Sequence, residues 1–363
     1  MIETKATLPL IQRFSYFLIG LSALLALLYI AQGILIPLVF AFIVAILLHP
    51  VVNFFIRHRI NRIVAISFTL LLMVLFIAAF VALIYSQAVS FSDSWPVLVQ
   101  RFTDILNDAI SYTSTYLNVR PALIHEWITK TQHELLNFNG ALIGQTLSNV
   151  GSIVAALILI PVYIFVILYY QPLLIEFINR LFVKTHQAQV RSIVTQTKSV
   201  VQNYLLGLII EVIIISILNT SGLLLLGIPY AIFLGVLGAL LNLIPYIGGL
   251  VAVLLFMIVA LVTKSSPWFA LYVCGFHLFI QFVDNDFIVP KIVASKVKIN
   301  ALFSILVVLV GNALWGIPGM FLSLPLLAIL KVVFDHVDSM KPWGYLLGDT
   351  MPAKRRKKLG EKK

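Results

Sequence analysis

At 363 residues, with 61% of them hydrophobic and 11% charged, the chain carries more apolar side chain than a water-soluble globule can bury, and its mean hydropathy of +1.05 places it among polytopic membrane proteins. A formal charge of +11 would suit a nucleic-acid binder, but the basic residues stand at the ends of apolar runs and in the tail KRRKK (Lys354 to Lys358), so no nucleic-acid partner is expected. The single cysteine, Cys274, sits inside an apolar segment and excludes an intrachain disulfide framework and a thiolate metal cluster.

Phe14 to Ile36 and Pro37 to Phe55 are two apolar segments whose short breaker, AQGILIP, predicts a tight helical hairpin. A second hydrophobic run follows the first at once, so the first is read as an uncleaved helix. The cluster RHRINR (Arg57 to Arg62) assigns this end to the cytoplasm, and a third helix, Ile63 to Ser86, crosses outward and closes a first unit over residues 1–89.

Residues 90–148 are more polar and are punctuated by Trp95, Pro96, Pro121 and Trp127. Phe102, Ile105, Leu106, Ala109 and Ile110 recur at helical spacing, as do Leu123, Trp127 and Ile128, which predicts a small cap of amphipathic helices outside the bilayer. A unit over 149–203 follows: a fourth span, Val150 to Tyr170, containing Pro161, then a linker from Gln171 to Asn203. Leu173, Leu174, Phe177, Ile178 and Leu181 share one helical face of that linker, as expected of a cytoplasmic interfacial helix.

The core of the chain is 204–340, ahead of a basic cytoplasmic tail, 341–363. It holds a fifth span, Tyr204 to Leu226, with Glu211 inside it, and a shorter stretch, Trp268 to Val283, with His277 and Gln281. Two apolar runs flank that stretch: Ile228 to Val262, broken by NLIPYIGG, and Ala301 to Phe334, broken by GNALWGIPG. Each would measure about 52 Å as a straight helix against a hydrocarbon core of about 30 Å, so each is expected to fold back as a re-entrant pair of half-helices. The fold expected is therefore an all-α polytopic membrane protein of about eight hydrophobic segments, the two long C-terminal ones broken. Both termini fall in the cytoplasm. Folding both runs back leaves all but four of the 25 lysines and arginines inside, the exceptions being Arg101, Arg120, Lys130 and Lys264. Straight runs would move Lys291, Lys296 and Lys298 outside and fit the charge rule less well.

Interrupted apolar segments in matching positions point to a transporter's substrate site. Asn242, Pro245, Tyr246, Gly248 and Gly249 at the first break, and Asn312, Trp315, Gly316, Pro318 and Gly319 at the second, are accordingly candidate pathway residues, with kink geometry as the alternative. Asp284, Asn285 and Asp286, ahead of Pro290, offer oxygen ligands for sodium or a proton, or else cap the loop and pair with Lys291, Lys296 or Lys298. Glu211 is a carboxylate eight residues into a span, either a coupling group facing a cavity or a salt-bridge partner. His277 is read as a satisfied polar residue between helices or, alternatively, a proton relay, and with Gln281 it completes the candidates for coupling. No catalytic residue, resident metal or cofactor is read, since Walker, HExxH, GxSxG and Cys-His patterns are absent.

Four blocks, LIPLVFAFIVAILLHPVV, LLGIPYAIFLGVLGALLNLIPYIGGLV, QFVDNDFIVPKIVASKV and VGNALWGIPGMFLSLPLLAILKVV, together resemble the autoinducer-2 exporter family of bacterial permeases. Asp286 departs from the Asn usual at the third position of that family's acidic knot, and Gly207-Leu208 stands where a Gly-Gln pair is common. The resemblance implies a multispan inner-membrane permease exporting a small polar solute such as autoinducer-2, with transient proton or sodium coupling. Sodium-proton antiport and a channel-like pore shared among subunits are the alternatives. The partners expected are membrane lipid, the solute and other copies of the chain.

Overall fold

In a chain this apolar the backbone can satisfy its N–H and C=O groups away from water only by coiling on itself. The computed structural model describes residues 9–117, 158–183, 186–245, 247–293 and 299–349, and among them it is helical throughout, apart from one isolated bridge between Ile299 and Gly348. The helices are α1 (Leu10–Ile30), α2 (Gln32–Arg57), α3 (Arg62–Leu117), α4 (Ile158–Leu181), α5 (Gln187–Leu225), α6 (Ala231–Asn242), α7 (Gly248–Thr263), α8 (Trp268–Val283), α9 (Ala301–His336) and α10 (Lys341–Leu347). Five of them, α2, α3, α4, α5 and α9, are long and apolar enough to cross a bilayer. The protein is an all-α multi-pass membrane protein.

Several expected boundaries lie elsewhere. Between α1 and α2 only Ala31 leaves the helix; its N–H donates to Leu27 and its carbonyl accepts from Ile34 and Leu35, so the joint is a kink and the expected hairpin does not form. Pro37 lies inside α2, at its sixth residue, where it removes the N–H that would bond to the Gly33 carbonyl. The third span does not stop near Ser86: α3 continues for 56 residues, about 84 Å, through Pro96. The first part of the predicted cap is thus the end of α3, and the remainder of the cap, 118–148, lies outside the described residues, as does the start of the predicted fourth span up to 157. Likewise the predicted linker helix is shared between the end of α4 and the beginning of α5, a 39-residue helix.

Both long C-terminal runs do fold back. In the first, α6 and α7 span about 18 and 24 Å, each too short for the hydrocarbon core. They lie antiparallel, with Leu234, Ala252, Phe256, Val259 and Ala260 in one buried cluster and Gly238 against the Phe256 ring. In the second, α9 reverses at Gly316, whose φ of 62° and ψ of −143° suit only glycine. Gly311 and Gly319 then meet so closely that a Cβ on either would strike the other's carbonyl.

α5 is the ruler along which the hairpins are placed. Its start packs on the closing arm of α9, through Val200 with Ala328 and Val332 and through Val201 and Leu205 with Leu322. Its last turns pack on the first hairpin, where Thr220 leaves no room for more than Gly235. The two hairpins therefore enter from opposite ends of the helix and their tips converge towards its middle. The end at which α5 starts also carries Arg57, Arg59, Arg62, Arg180, Arg191 and Lys198, and is called the basic end below. At the other end α3 leans on the first hairpin: Phe91 packs on Tyr230 and Phe233, and the Tyr230 hydroxyl donates to Ser94 Oγ at 2.6 Å.

Candidate functional site

The middle of α5 places Glu211, which is 6% exposed, opposite the tip of the first hairpin. The last residue of α6, Asn242, reaches it there. Asn242 Nδ2 donates to Glu211 Oε1 at 3.3 Å and to Asp284 Oδ2 at 2.8 Å, while its Oδ1 accepts from Gln281 Nε2 at 3.0 Å. His277, Gln281 and Asp284 recur at intervals of four and three residues, which puts them on one face where α8 runs into the next segment. That segment, Asp284–Val293, is a wider π-type coil containing Pro290, which has no N–H with which to continue an ordinary α-helical ladder.

These side chains surround a cavity of about 530 Å3, which Pro245, Gly249, Asn285 and Tyr204 also line. Its polar groups are incompletely used. Asp284 and His277 are each 2% exposed. Among the described residues, Asp284 Oδ1 and both ring nitrogens of His277 lack a hydrogen-bond partner of good geometry, with the Gly249 backbone alongside the imidazole. A buried polar atom without a partner costs about 1–3 kcal/mol, so these atoms keep hydrogen-bonding capacity directed at the cavity.

Among the predicted residues, Glu211, Asn242, Pro245, Gly249, His277, Gln281, Asp284 and Asn285 come together here. Gly248 packs against the Leu241 carbonyl too closely to carry a side chain, which makes it part of the turn. Tyr246, Lys296 and Lys298 lie outside the described residues. Asp286 and Pro290 are exposed and do not line the cavity, so the acidic knot divides into one buried acid and one outward acid. Lys291 lies over the Phe287 ring, 5.8 Å from its centroid, and forms no ion pair with either acid.

Asn312, Trp315, Gly316, Pro318 and Gly319 form the tip of the second hairpin, and none of them lines this cavity; Leu324 does so from that hairpin. Instead Trp315 Nε1 donates to the Leu28 carbonyl of α1 at 3.0 Å. One polar residue escaped the sequence reading. Asn219, 1% exposed and with Nδ2 unpartnered, sits two turns beyond Glu211 on the same buried face as Ile215. The i, i+4, i+8 spacing of Glu211, Ile215 and Asn219 was the available signal.

Among the described residues no three His, Cys, Asp or Glu side chains converge to hold a metal ion. Glu211 and Asp284 bridged by one amide make a smaller, oxygen-rich set of the kind hard cations accept.

The family model described as AI-2E family transporter matches residues 18–339, a range that contains every residue of this cavity. The chain belongs to that family. Among its AI-2E relatives, "Putative transport protein YhhT" of Escherichia coli K12 is 24% identical over 338 residues, covering 93% of this chain and 95% of the relative. A "Putative transport protein" of Haemophilus influenzae is 26% identical over 359 residues, with 92% and 96% covered, and "Putative transport protein YrrI" of Bacillus subtilis is 23% identical over 325 residues, with 86% and 89% covered. The chain is thus similar along almost its whole length to proteins named for transport.

Proposed function

We propose that the protein is a secondary transporter of the bacterial cytoplasmic membrane that exports a small polar metabolite, of the autoinducer-2-like class the family's name suggests, through the cavity at the tip of the first hairpin. The observation that carries this reading is the set of buried, unpartnered polar atoms on Asp284 and His277 facing about 530 Å3 of space. Cavities of about 300–1,000 Å3 suit small ligands, and a solute bearing hydroxyl or carbonyl groups would supply the missing hydrogen bonds. The basic end faces the cytoplasm in this reading, in keeping with its arginines and lysines.

Coupling to an ion gradient rests on Glu211 and Asp284. Two carboxylates sharing one amide in a low-dielectric site repel each other, and a proton or a sodium ion between them relieves that repulsion. Loading and unloading that cation would alternate the hydrogen bonds offered by Asn242 at the end of α6. The same pair supports sodium-proton antiport as a second reading, in which the cations are themselves the cargo.

Flux measured in proteoliposomes with an imposed pH or sodium gradient tests both readings. The double variant Glu211→Gln with Asp284→Asn is expected to abolish gradient-driven solute export. Unchanged gradient-driven flux in that variant sinks the coupling mechanism, and cation exchange without any solute flux in the wild type selects antiport.

A further inference from the structure

A second cavity, of about 260 Å3, opens at the basic end where α2, α4 and α5 diverge. Its walls are apolar, with Leu168 and Ile178 from α4 and Ile193 and Val194 from α5. Phe42, Leu174 and Ile175 also line it and are exposed, so it opens on the outer surface of helices that carry the spans.

Basic side chains gather on one side of these walls. Lys198 Nζ lies 2.9 Å from His49 Nδ1, both on the cavity lining with Gln171, while Arg62, next to the lining residue Leu168, is near enough for its charge to act on the same imidazole. Arg62 donates from one terminal nitrogen to the Leu168 carbonyl at 2.6 Å, and its buried Nε has no partner. Among the described residues no carboxylate lines the cavity. The acid carried by α4, Glu176, is exposed and paired with Arg180 at 2.9 Å. Two cations are therefore gathered around one imidazole without a protein anion, an arrangement that an external anion stabilises.

We propose that this cavity holds part of one acyl chain of an anionic membrane phospholipid, with the phosphate against Lys198, Arg62 and His49. Charge complementarity selects the headgroup, since lysine and arginine form short charge-assisted hydrogen bonds to phosphate and basic pockets between membrane helices suit anionic lipids. The volume selects the chain. At about 260 Å3 the space is smaller than a typical ligand pocket and admits a stretch of hydrocarbon while the headgroup stays at the rim. The lipid would brace α2 against α5 beside the existing bond from Gln202 Nε2 to the Ile46 carbonyl at 2.7 Å. Lys198 is 13 residues before Glu211 on α5, about 20 Å away, so the brace is separate from the polar cavity.

The test uses the full-length protein in phosphatidylcholine nanodiscs titrated with phosphatidylglycerol, read by lipid retention in native mass spectrometry and by the unfolding midpoint. The wild type is expected to retain phosphatidylglycerol in preference to phosphatidylcholine and to unfold at higher temperature with it. Lys198→Gln is expected to weaken retention about tenfold, and Lys198→Arg to preserve it. Equal retention of both lipids, or wild-type retention by Lys198→Gln, overturns the proposal. Stabilisation by inorganic phosphate alone to the level reached with phosphatidylglycerol overturns it too, by making this a free-anion site. Should Lys198→Gln fail to fold, the wild-type preference between the two lipids and retention by Lys198→Arg decide the question.

Discussion

The first hairpin turns between Asn242 and Gly248 with side chains around its tip, whereas the second turns at Gly316 with backbone against backbone. At the first tip, Asn242 bonds to Glu211, Asp284 and Gln281, and a cavity with unspent polar atoms remains beside it. In the arms behind the second tip, Gly311 meets Gly319, and the Ser323 hydroxyl lies 2.9 Å from the Val307 carbonyl and 2.6 Å from that of Gly319. Two interrupted helices of similar sequence character thus do different work. The first break is held open by polar side chains, and the second is a packing joint that glycines draw shut.

The sharpest way to break this comparison is Gly319→Val. The obstructing atoms are backbone, which cannot rotate away, so the substitution is expected to destabilise the second hairpin by about 3 kcal/mol or more, measured as a fall in unfolding midpoint in detergent. Normal stability in that variant would mean the two arms do not lie in contact. Next comes Asn242→Ala, which strips the shared donor from both carboxylates. It is expected to cut coupled flux by roughly tenfold to a hundredfold with intact folding, corresponding to about 1–3 kcal/mol.

The smallest effect belongs to Trp315→Phe, which removes one hydrogen bond to Leu28 at the second tip. A stability loss of about 1 kcal/mol with unaltered flux is expected, read by thermal unfolding and proteoliposome assay together. Flux lost without stability lost would return the second tip to the transport pathway.

The reversals were legible in the sequence because Pro, Gly and Asn fall in the middle of apolar runs already too long for the bilayer to hold as straight helices. Glu211, His277, Gln281 and Asp284 were legible in a similar way, as polar groups stranded in apolar surroundings. Asp286 was misread because sequence proximity to Asp284 hides the turn of the coil that separates them: Asp284 faces α5 while Asp286 faces outward. The lengths of α3 and α5 were illegible on physical grounds. Leaving the bilayer changes which residues are comfortable, but it does not interrupt i to i−4 bonding, so Ser90 to Leu117 extend a helix that composition had ended. The bridging role of Asn242 was equally hidden, since it depends on three helices distant in sequence.

The unbroken α3 has a mechanical corollary. Its foot is clamped by Ala65, Ile66 and Leu70 among α2 and α4, and its far part touches the first hairpin through Phe91, Ser94 and Arg101. Ile66 and Phe91 stand 25 residues apart on one helix, about 38 Å, so the packed foot and the Tyr230 contact share a single continuous backbone element.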